Sequence, residues 1–170
     1  ARLNFLTVVP MFHCNGWCYP WTIPMLNGKT VCLRNIDIKK IFELIEEHKI
    51  THFGGAPIVL NMITGASEKD QKKLGHKVYV LTAGAPPPSI IFKKMQALGF
   101  EVMHVYGLTE TYGHILQCAW NDQWDDLDED KQNEIKARQG VRYPNTEDVM
   151  VMDPETCLLY TSDAADDDHC

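Results

Sequence analysis

The sequence predicts an α/β fold: a mainly parallel sheet flanked by helices. Apolar residues alternate along residues 1–107 between strand-like runs and helix-like spacing, giving five strands separated by four helical segments. This alternation is typical of parallel sheets covered by helices. The chain has 170 residues, of which 45% are hydrophobic, so it is long enough to bury a core. No apolar run approaches the roughly 20 residues of a membrane-spanning helix, so no membrane span is predicted.

Five apolar segments are the predicted strands, and each is bounded by glycine, proline or polar residues. They are residues 4–9, 30–34, 50–56, 77–84 and 100–107. Ligands of such sheets bind at the carboxyl ends of the strands. We therefore expect the loops after the first, fourth and fifth strands to converge on one crevice.

The segments between these strands carry helix signals. Residues 17–27 are apolar but contain two prolines, which predicts an irregular or kinked helix. Asp37 suits the N-cap of a second helix, and Pro57 suits the start of a third. A fourth is predicted over residues 88–98. The acidic residues at 125–130 precede basic ones, the order that favours a solvated helix over a metal or partner site.

Charge and cysteine content exclude some functions. With 16 basic and 23 acidic residues, the chain has a formal net charge of −7, which argues against nucleic-acid binding. Cys14, Cys18, Cys32 and Cys118 lack the paired spacing of a zinc site, so free thiols in a reducing compartment are predicted. We expect an intracellular protein, and the sequence does not distinguish cytoplasm from peroxisome.

The end of the chain differs from the rest. From Cys157 it runs CLLYTSDAADDDHC, with four Asp and no Lys or Arg, and CLLYTSDAAD resembles a translated transposase-type adapter of DNA sequencing libraries. A genuine acidic tail is the alternative. We predict one domain over residues 1–156 and a non-native tail over 157–170. Because the chain begins at Ala1 within a strand-like run, it is expected to be part of a longer protein.

The loop VYGLTETYG combines groups suited to a nucleotide. If the strand ends at Tyr106 and Gly107 makes a tight turn, then Thr109 and Glu110 emerge side by side. A hydroxyl can donate to a phosphate oxygen, a carboxylate suits Mg²⁺, and the tyrosine ring offers a flat face to a base. The alternative is an ordinary turn with a solvated glutamate.

The loop TAGAPPPS combines flexibility and rigidity. Gly84 permits close approach of a ligand, whereas Pro86, Pro87 and Pro88 fix the path of the backbone. Such a wall could border a base, or it could be only a stiff connection between a strand and a helix.

Together these segments resemble the acyl-adenylate-forming superfamily, the AMP-dependent synthetases and ligases. GAPPP and YGLTET follow one another about twenty residues apart, and PMFHCNGW and THFGGAPIVLNMI support the match. The resemblance covers nearly all of residues 1–156. Within the superfamily, the chain is most similar to short- and medium-chain fatty acyl-CoA ligases of the plant-like acyl-activating type.

The resemblance implies a role for each matching residue. Tyr106 would stack on adenine, Thr109 would contact phosphate, and Glu110 would bind Mg²⁺, so the catalytic roles fall to Thr109 and Glu110. The other implied nucleotide-contacting residues are Gly84, Ala85, Pro86 and Gly107. The implied residues of the acyl pocket are His13, Gly54, Gly55 and Ala56. Trp17 lies beside His13 and could shorten an acyl channel, although a tryptophan four residues from another, Trp21, is more often a core residue. His114 departs from the Gly or Pro that relatives often carry, and the sequence assigns it no role.

The implied activity is ATP-dependent activation of a carboxylic acid to acyl-AMP, followed by thioester formation with coenzyme A. ATP, Mg²⁺ and coenzyme A are the expected cofactors, and the small carboxylic acid is the expected partner. Two alternatives remain: adenylation with transfer to a carrier protein or another acceptor, and a non-catalytic α/β binding fragment. The superfamily's phosphate loop, ribose-binding aspartate and C-terminal domain are not in this sequence. The 170-residue chain is therefore expected to be inactive alone.

Overall fold

A mixed sheet organises the chain. The computed structural model describes residues 2–13, 16 and 18–159, and its seven strands lie in the order β2-β1-β3-β4-β5-β6-β7. The strands are β1 (Asn4–Thr7), β2 (Lys29–Cys32), β3 (His52–Gly54), β4 (Val78–Thr82), β5 (Phe100–Leu108), β6 (Gly113–Gln117) and β7 (Val141–Arg142).

Five α-helices and one 3₁₀ helix connect the described strands. The α-helices are α1 (Tyr19–Met25), α2 (Ile38–His48), α3 (Pro57–Gly65), α4 (Ser89–Leu98) and α5 (Glu129–Lys136). The 3₁₀ helix spans Asp122–Asp126. Where the sequence predicted one solvated helix near residues 125–130, the structure has two short helices, the 3₁₀ helix and α5. Asp128 caps α5 by accepting a hydrogen bond from the backbone N–H of Lys131.

The predicted α/β fold with a mainly parallel sheet is confirmed. Strands β1 to β5 all pair in parallel, whereas β6 and β7 extend the sheet antiparallel. The five predicted strands are present as β1 to β5, and β6 and β7, which follow residue 107, were not predicted. The last two are short and do not alternate between apolar and polar residues, and their pairing with β5 makes them strands.

The helix boundaries follow local signals. Asp37 caps α2, because its Oδ1 accepts a hydrogen bond of 2.9 Å from the backbone N–H of Lys40. At the end of α4, Gly99 adopts a left-handed conformation with φ of 101°. Pro24 lies inside the seven-residue α1, so the predicted irregular helix forms as a short segment.

The core lies between the parallel strands and the helices α2, α3 and α4. Leu6, Phe53, Val80 and Val102 occupy one register line across β1, β3, β4 and β5, and all four are buried. They pack against apolar helix side chains: Ile41, Phe42, Ile45, Leu60, Ile63, Phe92 and Met95. The carboxyl ends of the five strands therefore meet at one edge of a well-packed layer.

The described residues include four cysteines. Cys18, Cys32, Cys118 and Cys157 form no disulfide, and Cys14 lies outside the described residues. Among residues 2–13, 16 and 18–159, no three His, Cys, Asp or Glu side chains come together in a way that could hold a metal ion. The helices of that same part are too short or too polar to cross a membrane.

Candidate nucleotide and acyl site

The loops after all five parallel strands border one cavity of about 520 Å³. The loops after the first, fourth and fifth strands were expected at one crevice, and the loops after β2 and β3 also contribute residues to this cavity. Most of the lining side chains are apolar. The lining residues are Val8, Val9, Pro10, His13, Ile36, Ala56, Ile58, Val59, Ala83, Gly84, Gly107, Leu108, Thr109, Glu110 and His114.

The loop with the YGLTET motif is a β-hairpin. Strand β5 continues through Leu108, with an irregular register between Tyr106 and Gly107, and pairs with β6. The prediction that the strand ends at Tyr106 and turns at Gly107 is therefore wrong, and the chain reverses over residues 109–112. The strand continues because β6 returns alongside it and pairs with its backbone.

The turn places Thr109 and Glu110 at the exposed rim of the cavity. None of the ion pairs among the described residues involves Glu110. A single carboxylate without a counter-cation fits Mg²⁺, which is held through one or two carboxylates together with substrate phosphates and water. The residue types at this rim are thus compatible with a magnesium–nucleotide complex.

The TAGAPPPS loop approaches the same cavity through its glycine. Gly84 has φ of 106°, and a Cβ atom built on it would meet no other heavy atom within 4 Å. This open space next to the backbone is what close approach of a flat ligand requires. Ala83 also lines the cavity, whereas Ala85 and Pro86 are exposed and do not line it.

The residues expected in the acyl pocket divide into two groups. His13 and Ala56 line the cavity. Gly54 and Gly55 are buried and do not line it, and the backbone N–H of Gly55 donates to the carbonyl of Leu81 at 2.9 Å. Trp17 lies outside the described residues.

Tyr106, the residue expected to stack on adenine, is set back from the cavity. It pairs with Leu116 on β6, is half-buried, and is not among the lining residues. Because of the irregular register after Tyr106, Gly107 and Leu108 line the cavity instead.

Several residues that line the cavity were not predicted from the sequence. Val8, Val9 and Ile36 follow the first two strands, and the position of a residue just after a parallel strand is the signal that could have found them. His114 gave no such signal, because it lies on β6, a strand that the sequence did not predict. Burial lowers the pKa of His114 below the usual histidine value, and its Nε2 atom is buried without a hydrogen-bond partner among the described residues.

The profile of the AMP-binding enzyme family matches residues 1–161. The chain belongs to this family. A peroxisomal acetate/butyrate–CoA ligase of Arabidopsis thaliana is 48% identical over 154 residues, covering 89% of this chain and 27% of the relative. An acetate–CoA ligase of Humulus lupulus is 47% identical over 154 residues, with the same two coverages. The chain therefore spans about a quarter of the length of these relatives.

Solved structures of similar fold agree with this family. The N-terminal domain of FACL13 from Mycobacterium tuberculosis superposes with a TM-score of 0.62 at 27% identity, covering 68% of this chain and 30% of that one. An ATP-bound RpMatB-BxBclM chimera superposes with a TM-score of 0.71 at 21% identity, covering 92% of this chain and 29% of the other. At that identity, the second likeness concerns the fold alone.

Proposed function

We propose that the protein to which this segment belongs is an AMP-forming acyl-CoA ligase. A carboxylate attacks the α-phosphorus of ATP and releases pyrophosphate, and the thiol of coenzyme A then displaces AMP from the acyl-adenylate. The observation that carries the proposal is that the Gly84 turn and the Thr109–Glu110 turn open onto the same cavity. The sequence similarity to curated CoA ligases supports it.

The residues of the two turns have separate tasks in this proposal. Glu110 holds Mg²⁺, which when bound neutralises phosphate charge, and the hydroxyl of Thr109 donates a hydrogen bond to a phosphate oxygen. Gly84 lets the nucleotide lie against the backbone, with Ala85 and Pro86 beside it. Positioning and charge neutralisation account for most catalysis in phosphoryl-type chemistry, and these contacts supply both.

We propose that Tyr106 supplies the stacking surface for adenine. Tyr106 does not line the cavity itself, but it directly precedes Gly107 and Leu108, the two residues of β5 that do. Replacing Tyr106 with Phe should preserve the affinity for ATP, whereas replacing it with Ala should raise the KM for ATP. The same KM in all three proteins would remove Tyr106 from the nucleotide site.

The acid substrate is proposed to be a small, mainly apolar carboxylic acid of short or medium chain length. The cavity walls near His13 and Ala56 are built from valine, isoleucine and alanine side chains, which fit an alkyl group better than a charged one. Gly54, Gly55 and Trp17 remain proposed members of the acyl pocket. The names of relatives specify acetate, butyrate and benzoate.

Coenzyme A is the proposed acyl acceptor. An intracellular site of action is a second proposal. Relatives whose names specify a CoA ligase support this acceptor over a carrier-protein thiol. Two of those names, and the name of a probable acyl-activating enzyme of Arabidopsis thaliana, also specify the peroxisome, which supports that organelle as the first place to look.

The test is an assay of acid-dependent pyrophosphate release by the full-length protein. Acetate, butyrate, hexanoate and benzoate are each supplied with ATP, Mg²⁺ and coenzyme A, and acyl-CoA is measured in parallel. Glu110→Gln should lower the rate about 100-fold or more, whereas the exposed Glu68→Gln serves as the matched control and should not. Wild-type activity in Glu110→Gln would contradict the proposed role. Absence of pyrophosphate release with every acid would contradict the function.

A further inference from the structure

The hydroxyl of Thr111 is the centre of a small hydrogen-bond network inside the hairpin turn. Its Oγ1 accepts a hydrogen bond of 2.9 Å from the backbone N–H of Leu108. It lies 2.8 Å from the carbonyl oxygen of Gly113 and 3.0 Å from that of Leu108, either of which can accept its proton. One side chain thus joins the last residue of β5 to the first residue of β6.

These bonds hold a turn that has little packing to hold it. Leu108, Thr109, Glu110 and Tyr112 are all exposed, whereas Thr111 is half-buried. Tyr112 has φ of 58°, so the backbone also passes through a conformation that non-glycine residues adopt infrequently. Two backbone hydrogen bonds also hold the turn, from the N–H of Thr111 to the carbonyl of Leu108 at 3.2 Å and from the N–H of Tyr112 to the carbonyl of Thr109 at 3.1 Å. The side-chain bonds of Thr111 add to them where burial is slight.

We infer that Thr111 is a positioning residue that fixes Thr109 and Glu110 against the phosphates. The inference rests on the proposed function, since it assigns Thr111 to the same site. Thr111 acts through the backbone of the turn: without its hydroxyl, the N–H of Leu108 and the carbonyl of Gly113 lose the side chain that joins them. Thr109 and Glu110, which lie between Leu108 and Thr111, are then held less firmly. A displacement of about 1 Å at a reacting centre can lower a rate by about 100-fold.

The experiment compares variants of the full-length protein in the pyrophosphate-release assay. Thr111→Val keeps the shape of the side chain and removes the hydroxyl, and Thr111→Ser restores the hydroxyl. We expect Thr111→Val to lower kcat about 10- to 100-fold and to raise the Mg²⁺ concentration needed for half-maximal rate, with an unchanged KM for the acid. Thr111→Ser should recover most of the loss.

A matched control is available in α3. Thr64 Oγ1 donates to the carbonyl oxygen of Leu60 at 3.0 Å, the same kind of bond at a place outside the cavity lining. Thr64→Val should therefore leave both kcat and the Mg²⁺ requirement unchanged. If Thr111→Val does not fold, as judged by circular dichroism, Thr111→Ala replaces it.

The outcomes separate this inference from the proposed function. Wild-type kcat and Mg²⁺ requirement in a folded Thr111→Val overturn the positioning role while leaving the ligase proposal intact. An equal loss in Thr64→Val also overturns it, because a general loss of stability would then be the cause. A wild-type protein that releases no pyrophosphate overturns the proposed function, and the positioning role falls with it.

Discussion

Gly107 and Gly113 lie so close together in the hairpin that the backbone of β6 leaves no room for a side chain on Gly107. A Cβ atom there would collide with the carbonyl group of Gly113 and with the Cα atom of His114. The neighbouring pairs Leu108–Gly113 and Gly107–His114 are in register across β5 and β6. The turn that presents Thr109 and Glu110 therefore depends on a glycine whose φ lies outside the left-handed region.

The first prediction concerns this close approach. Gly107→Ala should lower the free energy of unfolding by about 1–3 kcal/mol, because the obstructing atoms belong to the backbone and cannot rotate away. It should also abolish pyrophosphate release by the full-length protein. Gly65→Ala is the control, since a Cβ atom at Gly65 would meet nothing within 4 Å. Urea unfolding of both variants checks this, and equal stability would contradict the tight fit.

The second prediction concerns the positive φ and the open space at Gly84. Alanine at this position has room for its Cβ but must adopt a φ of 106°, which costs an L-residue about 1–2 kcal/mol. We expect Gly84→Ala to raise the KM for ATP in the full-length protein, because the turn relaxes away from the cavity and the methyl group enters the open space. Gly75→Ala, with an equally open surrounding, should leave that KM unchanged. A normal KM in Gly84→Ala would exclude close contact with the nucleotide.

The third prediction concerns acid stability. Burial lowers the pKa of both His52 and His114, so below the unfolded value of about 6.5 the unfolded chain binds more protons than the folded chain. The contribution of these two histidines to the free energy of unfolding should therefore be constant above that pH and fall as the pH decreases from 6.5 through the lower folded values. Urea unfolding at pH 7.5, 6.0 and 5.0 measures this slope. In the double variant His52→Gln/His114→Gln, the free energy of unfolding should decrease less between pH 7.5 and pH 5.0. The same decrease as in the wild-type protein would show that these two histidines are not its cause.

The fourth prediction isolates fold stability from the site. Asp37→Ala removes the side-chain acceptor at the start of α2 and should lower the free energy of unfolding by about 1 kcal/mol. Asp37→Asn should retain most of the stability, because its side-chain oxygen can also accept the bond. Asp126→Ala, an exposed site at the end of the 3₁₀ helix, is the control. A change in the KM for ATP in Asp37→Ala would contradict the prediction that Asp37 affects the stability of the fold and not the nucleotide site.

The parallel part of the fold was predictable because each of its elements has a local cause. Asp37 caps a helix through its own side chain, and Gly99 ends one because it tolerates a positive φ. The apolar runs around Leu6 and Val80 form buried strands because both residues face the helices. Strand β6 was missed because GHILQ acquires its role only by pairing with β5, a contact that no local pattern records.

The candidate site was predictable at the level of loops and less so at the level of residues. The rule that ligands bind at the carboxyl ends of parallel strands correctly brought Gly84, Thr109 and Glu110 to one cavity. It could not determine that Tyr106 and Gly55 are set back from the cavity, nor that His114 lines it. These facts depend on strand register and on the irregularity after Tyr106.

The sequence by itself determined the strand–helix alternation, the helix caps and the edge of the sheet where chemistry-bearing residues gather, because periodicity, capping and chain direction are local properties. Only the tertiary structure decided that β5 continues into a hairpin and which residue of each loop lines the cavity. The reason is that the direction of a side chain depends on which backbone it pairs with, and a shift of one residue in that pairing turns a side chain to the opposite face.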